Sequence, residues 1–463
     1  MQKIEKVLLS LILMVMIFFM LTIGIRFSAR QILVERLGMD NSLTHFIFSD
    51  NPQMGVDGED AEVSVNIDWA GKYPFSKSNT NNGAHIFSAA NDTIGNFKSK
   101  ILDIEGKIET YTSDLLFGYQ KMVDMSMHIK GVLKGVSTDS LIGDVYVMQN
   151  GYLTYKEEKQ PENVIIELAD SVESLNSFLE AKNIPLIYVN AGSKVCPYNT
   201  MLSPVAEEHS NENGDALISE LSKRNIDVID MRTEMIDAGF DWYDSYYITD
   251  HHWKTELGLW SAGIIAERLN SYGFEYDLKK FENEQNNIAA YPKLLFGGQG
   301  RSVTFANADL EDYSLITPKY ETEFEITVPT RSVTKIGSFE NTLINKEKID
   351  EIYAYSESDH LSKSDAYNIV TARNDAYSEI RNLNQTNNTG KKVLFLSDSF
   401  AWYTRPFLAC DTEIIDSIYL TSFNGSLETF IDEECPDAVV VMYCERNIDE
   451  VDWNLHSSLF DFR

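Results

Sequence analysis

The chain of 463 residues is 43% hydrophobic and 24% charged, which places it among folded globular proteins and excludes a disordered or collagen-like polymer. Its charge is lopsided: 39 Lys and Arg face 71 Asp and Glu, a net charge of −32. Such a surface repels phosphate backbones, so nucleic acid is not expected as a partner.

In chain order, the first feature is the uncharged apolar run Val7–Ile25, which as a helix would reach roughly 28 Å, just enough to cross a bilayer core. It ends in Ile25-Arg26-Phe27-Ser28-Ala29-Arg30 rather than in a small-residue cleavage site, so it reads as an uncleaved signal anchor over residues 1–30. Lys3 and Lys6 before the run balance Arg26 and Arg30 after it, so charge alone does not set the orientation. Residues 31–90, rich in Asn, Asp, Gly and Ser, read as a linker. Over 91–143 the residues Ile94, Phe97, Ile101, Ile104, Ile108, Tyr111, Leu115, Met122, Met125, Ile129 and Val132 recur at helical spacing. Gly106, Gly118 and Gly131 each weaken a free-standing helix by about 1 kcal/mol, which favours an amphipathic helix lying on its own domain over a coiled-coil stalk.

The region 144–463 is expected to form the main domain. A hairpin at Asp144–Tyr155 turns at Asn150-Gly151. Helical periodicity at Val164–Lys182 leads into the strand Pro185–Val189, and a helix near Ala216–Lys223 leads into Ile226–Asp230. Such alternation predicts a mostly parallel, three-layer α/β sheet. Residues 271–388 break the rhythm and read as a β-rich insertion, with an antiparallel strand at Tyr320–Val328. Strands resume at Lys392–Leu396, Glu413–Tyr419 and Ala438–Met442. The four cysteines, Cys196, Cys410, Cys435 and Cys444, have no CxxC spacing, which indicates neither a zinc ribbon nor a thioredoxin-type site; disulfides are permitted but not implied, and buried thiols serving as small hydrophobes are the other reading.

Two segments carry chemistry. In Asp250-His251-His252-Trp253, an extended backbone would put Asp250 and His252 on one side, where the carboxylate fixes the imidazole's tautomer, and turn His251 away. The bland alternative is that the pair caps the following helix. No set of His, Cys and carboxylates stands at metal-ligand spacing, so neither a metal nor a cofactor is expected. In Val393-Leu394-Phe395-Leu396-Ser397-Asp398-Ser399-Phe400 an apolar strand ends abruptly in polar residues, the place where open α/β sheets hold their ligands. Ser399 is therefore a candidate nucleophile, or else a helix cap.

Together, Asp250-His251-His252-Trp253 and Ser397-Asp398-Ser399-Phe400, in that order, resemble the motifs of the DHHW proteins and of the related SGNH-hydrolase-like alginate O-acetyltransferases. The resemblance runs from about Asp144 to the C-terminus. It implies a flavodoxin-like SGNH fold with permuted motifs and a Ser399-His252-Asp250 triad supported by Trp253 and Asp398. The Ser399 N–H would be one oxyanion donor, with Asn424, Tyr443, Arg446 and Asn447 as further oxyanion or substrate candidates. It also implies acetyl transfer to a polysaccharide outside the cell membrane, with a membrane-bound O-acyltransferase as donor partner. The alternatives are a carbohydrate acetylesterase with the same triad and a non-catalytic glycan-binding component of an export complex.

Overall fold

Runs such as Val393-Leu394-Phe395-Leu396 and Val439-Val440-Val441-Met442 have no polar face to offer water, so as strands they need cover on both sides. The computed structural model describes residues 141–463 apart from 143, 306, 357–365, 385–387, 450 and 452–457. The apolar run Val7–Ile25, the linker and the helical stripe Ile94–Val132 lie outside the described residues. Among the described residues, no helix is long and apolar enough to cross a membrane.

A small antiparallel sheet comes first: β1 (Leu141–Ile142), β2 (Val145–Val147) and β3 (Leu153–Tyr155). The turn between β2 and β3 uses Gly151 at a φ of 87°, a conformation glycine adopts without strain. The chain then builds α1 (Glu162–Glu180), β4 (Leu186–Ala191), α2 (Ser210–Lys223), β5 (Asp227–Asp230), α3 (Met231–Asp237) and α4 (Thr255–Asn270). Next come the hairpin of β6 (Asn286–Leu295) and β7 (Glu311–Pro318), with α5 (Gly298–Val303) between them. The strands β8 (Phe324–Val328), β9 (Val333–Gly337) and β10 (Ser378–Asn382) follow. The last elements are β11 (Lys392–Ser397), α6 (Thr404–Ala409), β12 (Ile414–Ile418), α7 (Leu427–Glu434) and β13 (Ala438–Cys444).

The main sheet has eight strands in the order β5-β4-β13-β11-β12-β10-β8-β9. The first five run parallel, while β10, β8 and β9 pair antiparallel. The sheet is thus mixed rather than mostly parallel throughout: part of the expected β-rich insertion extends the same sheet, with β8 and β9 joined as a hairpin by the short turn at Pro329–Arg331 and β10 set antiparallel between β8 and β12. Numbered from β11, the parallel strands stand in the order 5-4-3-1-2, which is the 2-1-3-4-5 order of flavodoxin-like sheets with the chain entering at the fourth strand.

Side-chain alternation divides the core in two. Ile187, Val189, Val393, Phe395, Val440 and Met442 pack on one face against Leu257, Ala262, Ile265 and Leu269 of α4. Leu186, Tyr188, Leu394, Leu396, Val439 and Val441 pack on the other against Leu168, Val172 and Leu175 of α1, Leu217 of α2 and Ile431 of α7. Each fully buried Val or Leu adds about 1.5–3 kcal/mol, which is why these strands read so plainly as apolar runs.

Helix α4 approaches the segment after β11 very closely. A Cβ on Gly258 would stand 2.6 Å from the Tyr403 Cβ and 3.2 Å from its backbone carbon, and Ser261 Oγ lies 2.8 Å from Thr404 Oγ1. Gly258→Ala gains up to about 1 kcal/mol of helix preference but must push this backbone aside, and overpacking of that kind costs about 1–3 kcal/mol. Urea titration is therefore expected to show a net loss of stability. A net gain would contradict this packing.

Candidate active site

The Asp250 segment is not extended. An isolated antiparallel bridge between Tyr246 and Trp253, with Tyr247 N–H donating to the His252 carbonyl at 3.2 Å, closes a tight loop over residues 248–251. In such a loop neighbouring side chains are not forced to opposite sides. His251 therefore does not turn away as expected, and its ring lies 3.8 Å from that of His252, centroid to centroid.

The three motif residues meet. Asp250 Oδ1 lies 2.5 Å from His252 Nδ1, and His252 Nε2 lies 2.6 Å from Ser399 Oγ. Asp250 and His252 are buried, whereas Ser399 is partly open to solvent. Burial alone would raise the Asp250 carboxyl, but the His252 and His251 rings and the Gly298 N–H, 3.0 Å from Oδ2, hold it well below the usual carboxylate range. An ionised carboxylate only accepts, so Nδ1 carries the ring proton and Nε2 is left to accept from the serine hydroxyl. This relay can take a proton from Ser399 Oγ and later return it. Neither helix-cap reading applies: α4 starts after Lys254 with no side-chain cap, and the turn at Ser399–Trp402 is capped by Asp398, whose carboxylate accepts from Phe400 N–H at 2.9 Å.

Asp250, His251 and His252 also offer donor atoms within 4.8 Å of one another, a spacing that could suit a cation. Both ring nitrogens of His252 are already committed, to Asp250 and to Ser399, so the set is built as a proton relay.

The other end of the site is organised by Asp398. Its second oxygen accepts from the Cys444 N–H and from Asn447 Nδ2, both at 2.6 Å. Burial raises this carboxyl above its ordinary range, and those donors offset only part of the rise. Asn447, expected near the oxyanion, is thereby placed beside the serine turn. The Ser399 N–H is first in its 3-10 turn, a position that leaves an amide without an intrahelical acceptor. Arg446 bonds Glu157 Oε1 at 2.5 Å and lies over the Tyr155 ring at 4.7 Å. Tyr443 does not reach the site: odd and even residues of β13 face opposite cores, and its hydroxyl donates to the Leu459 carbonyl at 2.7 Å. Asn424 is exposed on the turn after β12, and no bond joins it to the three motif residues among the described residues. Trp253 is fully buried, edge-on to Phe400 at 5.3 Å, and so packs the two motifs together.

Sequence reading missed the residues that brace the Asp250 loop. The run Gly297-Gly298-Gln299-Gly300 lies against it so closely that a Cβ on Gly297 would stand 2.3 Å from the Asp250 Cβ. Gly297 N–H donates to Thr249 Oγ1 at 2.9 Å, and Gly300 N–H to the Thr249 carbonyl at 2.8 Å. The Glu311 carboxylate accepts from the N–H groups of Ile248 at 2.6 Å and Thr249 at 2.7 Å. Four residues with three glycines were the one visible signal. A separate polar cleft, lined by Asp277, Lys280, Tyr320 and Asn382, opens near the N-terminal ends of β11 and β12, at the opposite end of the sheet from Ser399.

Residues 148–297 match the SGNH hydrolase-like domain of the acetyltransferase AlgX. Among solved structures, Bacillus cereus PatB1 with a sulfonyl adduct is similar at 17% identity, over 70% of this chain and 100% of that one, with a TM-score of 0.54. A DHHW family protein from Eubacterium siraeum is similar at 14% identity, over 66% and 90%, with a TM-score of 0.46. The O-acetyltransferase domain of Pseudomonas putida AlgJ is similar at 12% identity, over 69% and 99%, with a TM-score of 0.40. No curated protein matches the chain.

Acidic groups also gather beside the site. Burial pushes the Glu208 carboxyl up to about 7 against the Ser210 hydroxyl, and the charges of Glu445 and Glu157 add to the rise. A carboxyl raised on folding contributes stability that is complete below its unfolded value near 4.5 and is lost as pH climbs through 7. Between pH 4.5 and 7.5 the wild type should therefore lose about 3 kcal/mol more than Glu208→Gln in urea titrations. Equal pH slopes in the two proteins would contradict the assignment.

Proposed function

We propose that this chain, which carries an SGNH hydrolase-like domain similar to that of the AlgX acetyltransferase, is an O-acetyltransferase acting on a polysaccharide through a covalent acyl-enzyme. The observation that carries the reading is the continuous relay from Asp250 through His252 to Ser399 Oγ, with separations of 2.5 and 2.6 Å, at the point where the strand order reverses between β11 and β13. The match to an acetyltransferase domain supports acetyl as the group transferred.

In the proposed reaction, His252 Nε2 takes the hydroxyl proton as Ser399 Oγ attacks the acyl carbonyl carbon. The resulting oxyanion is met by the Ser399 N–H, and one well-placed donor is worth about 2.7–4 kcal/mol. Collapse breaks the bond to the donor's oxygen, which leaves with the proton from His252. A sugar hydroxyl then loses its proton to His252 and attacks the acetyl-serine, forming the new ester, and Ser399 regains its proton. Asp250 stays ionised throughout and stabilises the imidazolium. Asn447 and Arg446, on the turn after β13, are the side chains assigned in this reading to donor or acceptor.

The apolar run Val7–Ile25 supports an anchored protein with its domain outside the membrane, where a membrane-bound O-acyltransferase would supply acetyl groups. The acidic surface suits a neutral or cationic glycan better than an anionic one.

Ser399→Ala and Asp250→Asn should each lower kcat for acetyl transfer to oligosaccharides by roughly 10³-fold or more, with KM little changed. Mass spectrometry of the glycan and release assays on a small acetyl ester supply both readouts. Hydrolysis with no transfer to any glycan in the panel would favour an acetylesterase. Wild-type rates in Ser399→Ala would remove the acyl-enzyme altogether.

A further inference from the structure

The residues of the Asp250 loop belong to no strand, and carbonyls withdrawn from water need donors; Leu153 N–H of β3 meets the Ile248 carbonyl at 3.1 Å and Gly300 N–H that of Thr249 at 2.8 Å. One side chain supplies further donors. Lys194 leaves the end of β4 through Gly192 and Ser193, is 2% exposed, and sends its ammonium beneath the loop. Nζ lies 2.8 Å from the carbonyl oxygen of Tyr247, 3.0 Å from that of Ile248, 2.6 Å from that of Asp250 and 2.7 Å from Gln299 Oε1, so its three N–H groups serve four acceptors with one of them shared.

Four neutral oxygens converging on one point make a cation site, and here the cation is part of the chain. The arrangement links the three parts of the relay's frame: the strand end that bears Lys194, the loop that bears Asp250 and His252, and the glycine turn that bears Gln299 and donates to Asp250 Oδ2. Lys194 touches neither Ser399 nor the His252 ring, so it acts through others. Its own carbonyl is fixed by Trp242 Nε1 at 3.0 Å, which limits its freedom to settle elsewhere.

We propose that Lys194 is a positioning residue whose ammonium is a built-in cation, holding the Asp250–His252 loop in its reactive geometry, and that the oxygen cage left when this side chain is cut away accepts a small ammonium ion instead. The inference rests on the acyl-transfer reading for its activity readout, but the cage itself is read from geometry alone. A neutral side chain of similar length cannot satisfy four acceptors. Consistent with a costly burial, desolvation draws the Lys194 ammonium down to about 7 against the opposing charges of Glu311 and Asp250.

The test compares wild type with Lys194→Ala, Lys194→Met and Gln299→Leu, each checked for a wild-type circular dichroism spectrum. Both lysine variants should lose about 10²-fold or more in kcat with KM within threefold, since a displacement near 1 Å costs that much. Ethylammonium chloride should restore Lys194→Ala at least tenfold and saturably, whereas sodium chloride at equal ionic strength should not, and Lys194→Met, whose side chain fills the cage, should not respond. The downfield proton resonance of the His252–Asp250 hydrogen bond should vanish in Lys194→Ala and return with ethylammonium, whether or not the substrate assigned above is correct. Should the lysine variants fail to fold, Gln299→Leu decides, with an expected three- to tenfold loss of kcat at constant KM. The proposal is overturned by a Lys194→Met variant with near wild-type kcat, by a folded Lys194→Ala that no amine restores, or by unchanged kcat in Gln299→Leu. Wild-type protein with no turnover but with amine-dependent recovery of the resonance in Lys194→Ala would instead sink the acyl-transfer reading and leave the cage standing.

Discussion

Carboxyl oxygens held away from water must find inside the protein the donors that water would have given them. Two buried aspartates set the architecture of this site through that requirement. Asp250 gathers the backbone N–H of His252, its ring Nδ1 and the N–H of Gly298. Asp398 gathers the N–H groups of Phe400 and Cys444 and the amide of Asn447. Four chain segments, each remote in sequence, are thereby fixed to one another. Ser399 and His252 sit where those two clusters meet.

The fold explains why the clusters can meet at all. Because the chain enters the sheet at what corresponds to the fourth strand, the Asp250 loop precedes the serine in sequence while the two lie together in space. Trp253 against Phe400, and α4 against Tyr403 through Gly258, lock the two motifs face to face. Rigid packing of this kind keeps the His252 ring in place, and the Tyr367 ring stacked on it at 4.1 Å adds to the restraint. An aromatic face there would also favour the imidazolium of the proposed reaction.

The sequence made the parallel strands readable because burial on both faces leaves β4, β13 and, after Lys392, β11 without a charged or amide side chain until their carboxyl ends. Ser399, Asp250 and His252 were readable for the same reason, as polar residues standing abruptly after apolar runs or beside one another. What was not readable depends on long-range contact. Lys194 is one lysine in a short loop, and nothing local shows that its ammonium ends beneath residues more than fifty positions away. The glycines at 297, 298 and 300 mark a close approach without saying to what. His251 was misjudged because the extended backbone assumed for its segment is replaced by a loop that the Tyr246–Trp253 bridge closes. Tyr443 was misjudged because alternation along β13, not proximity in sequence to Arg446, decides which core its ring enters.

The central claim is that Ser399 becomes acylated. The direct measurement is peptide mass spectrometry on protein mixed with an activated acetyl ester and quenched in acid within milliseconds to seconds. One added acetyl group on the peptide containing Ser399, accumulating in wild type, decaying faster when an acceptor glycan is added, and absent in His252→Ala, is the predicted result. Turnover with no acetyl on that peptide at any quench time, or the same labelling in His252→Ala, would contradict the account.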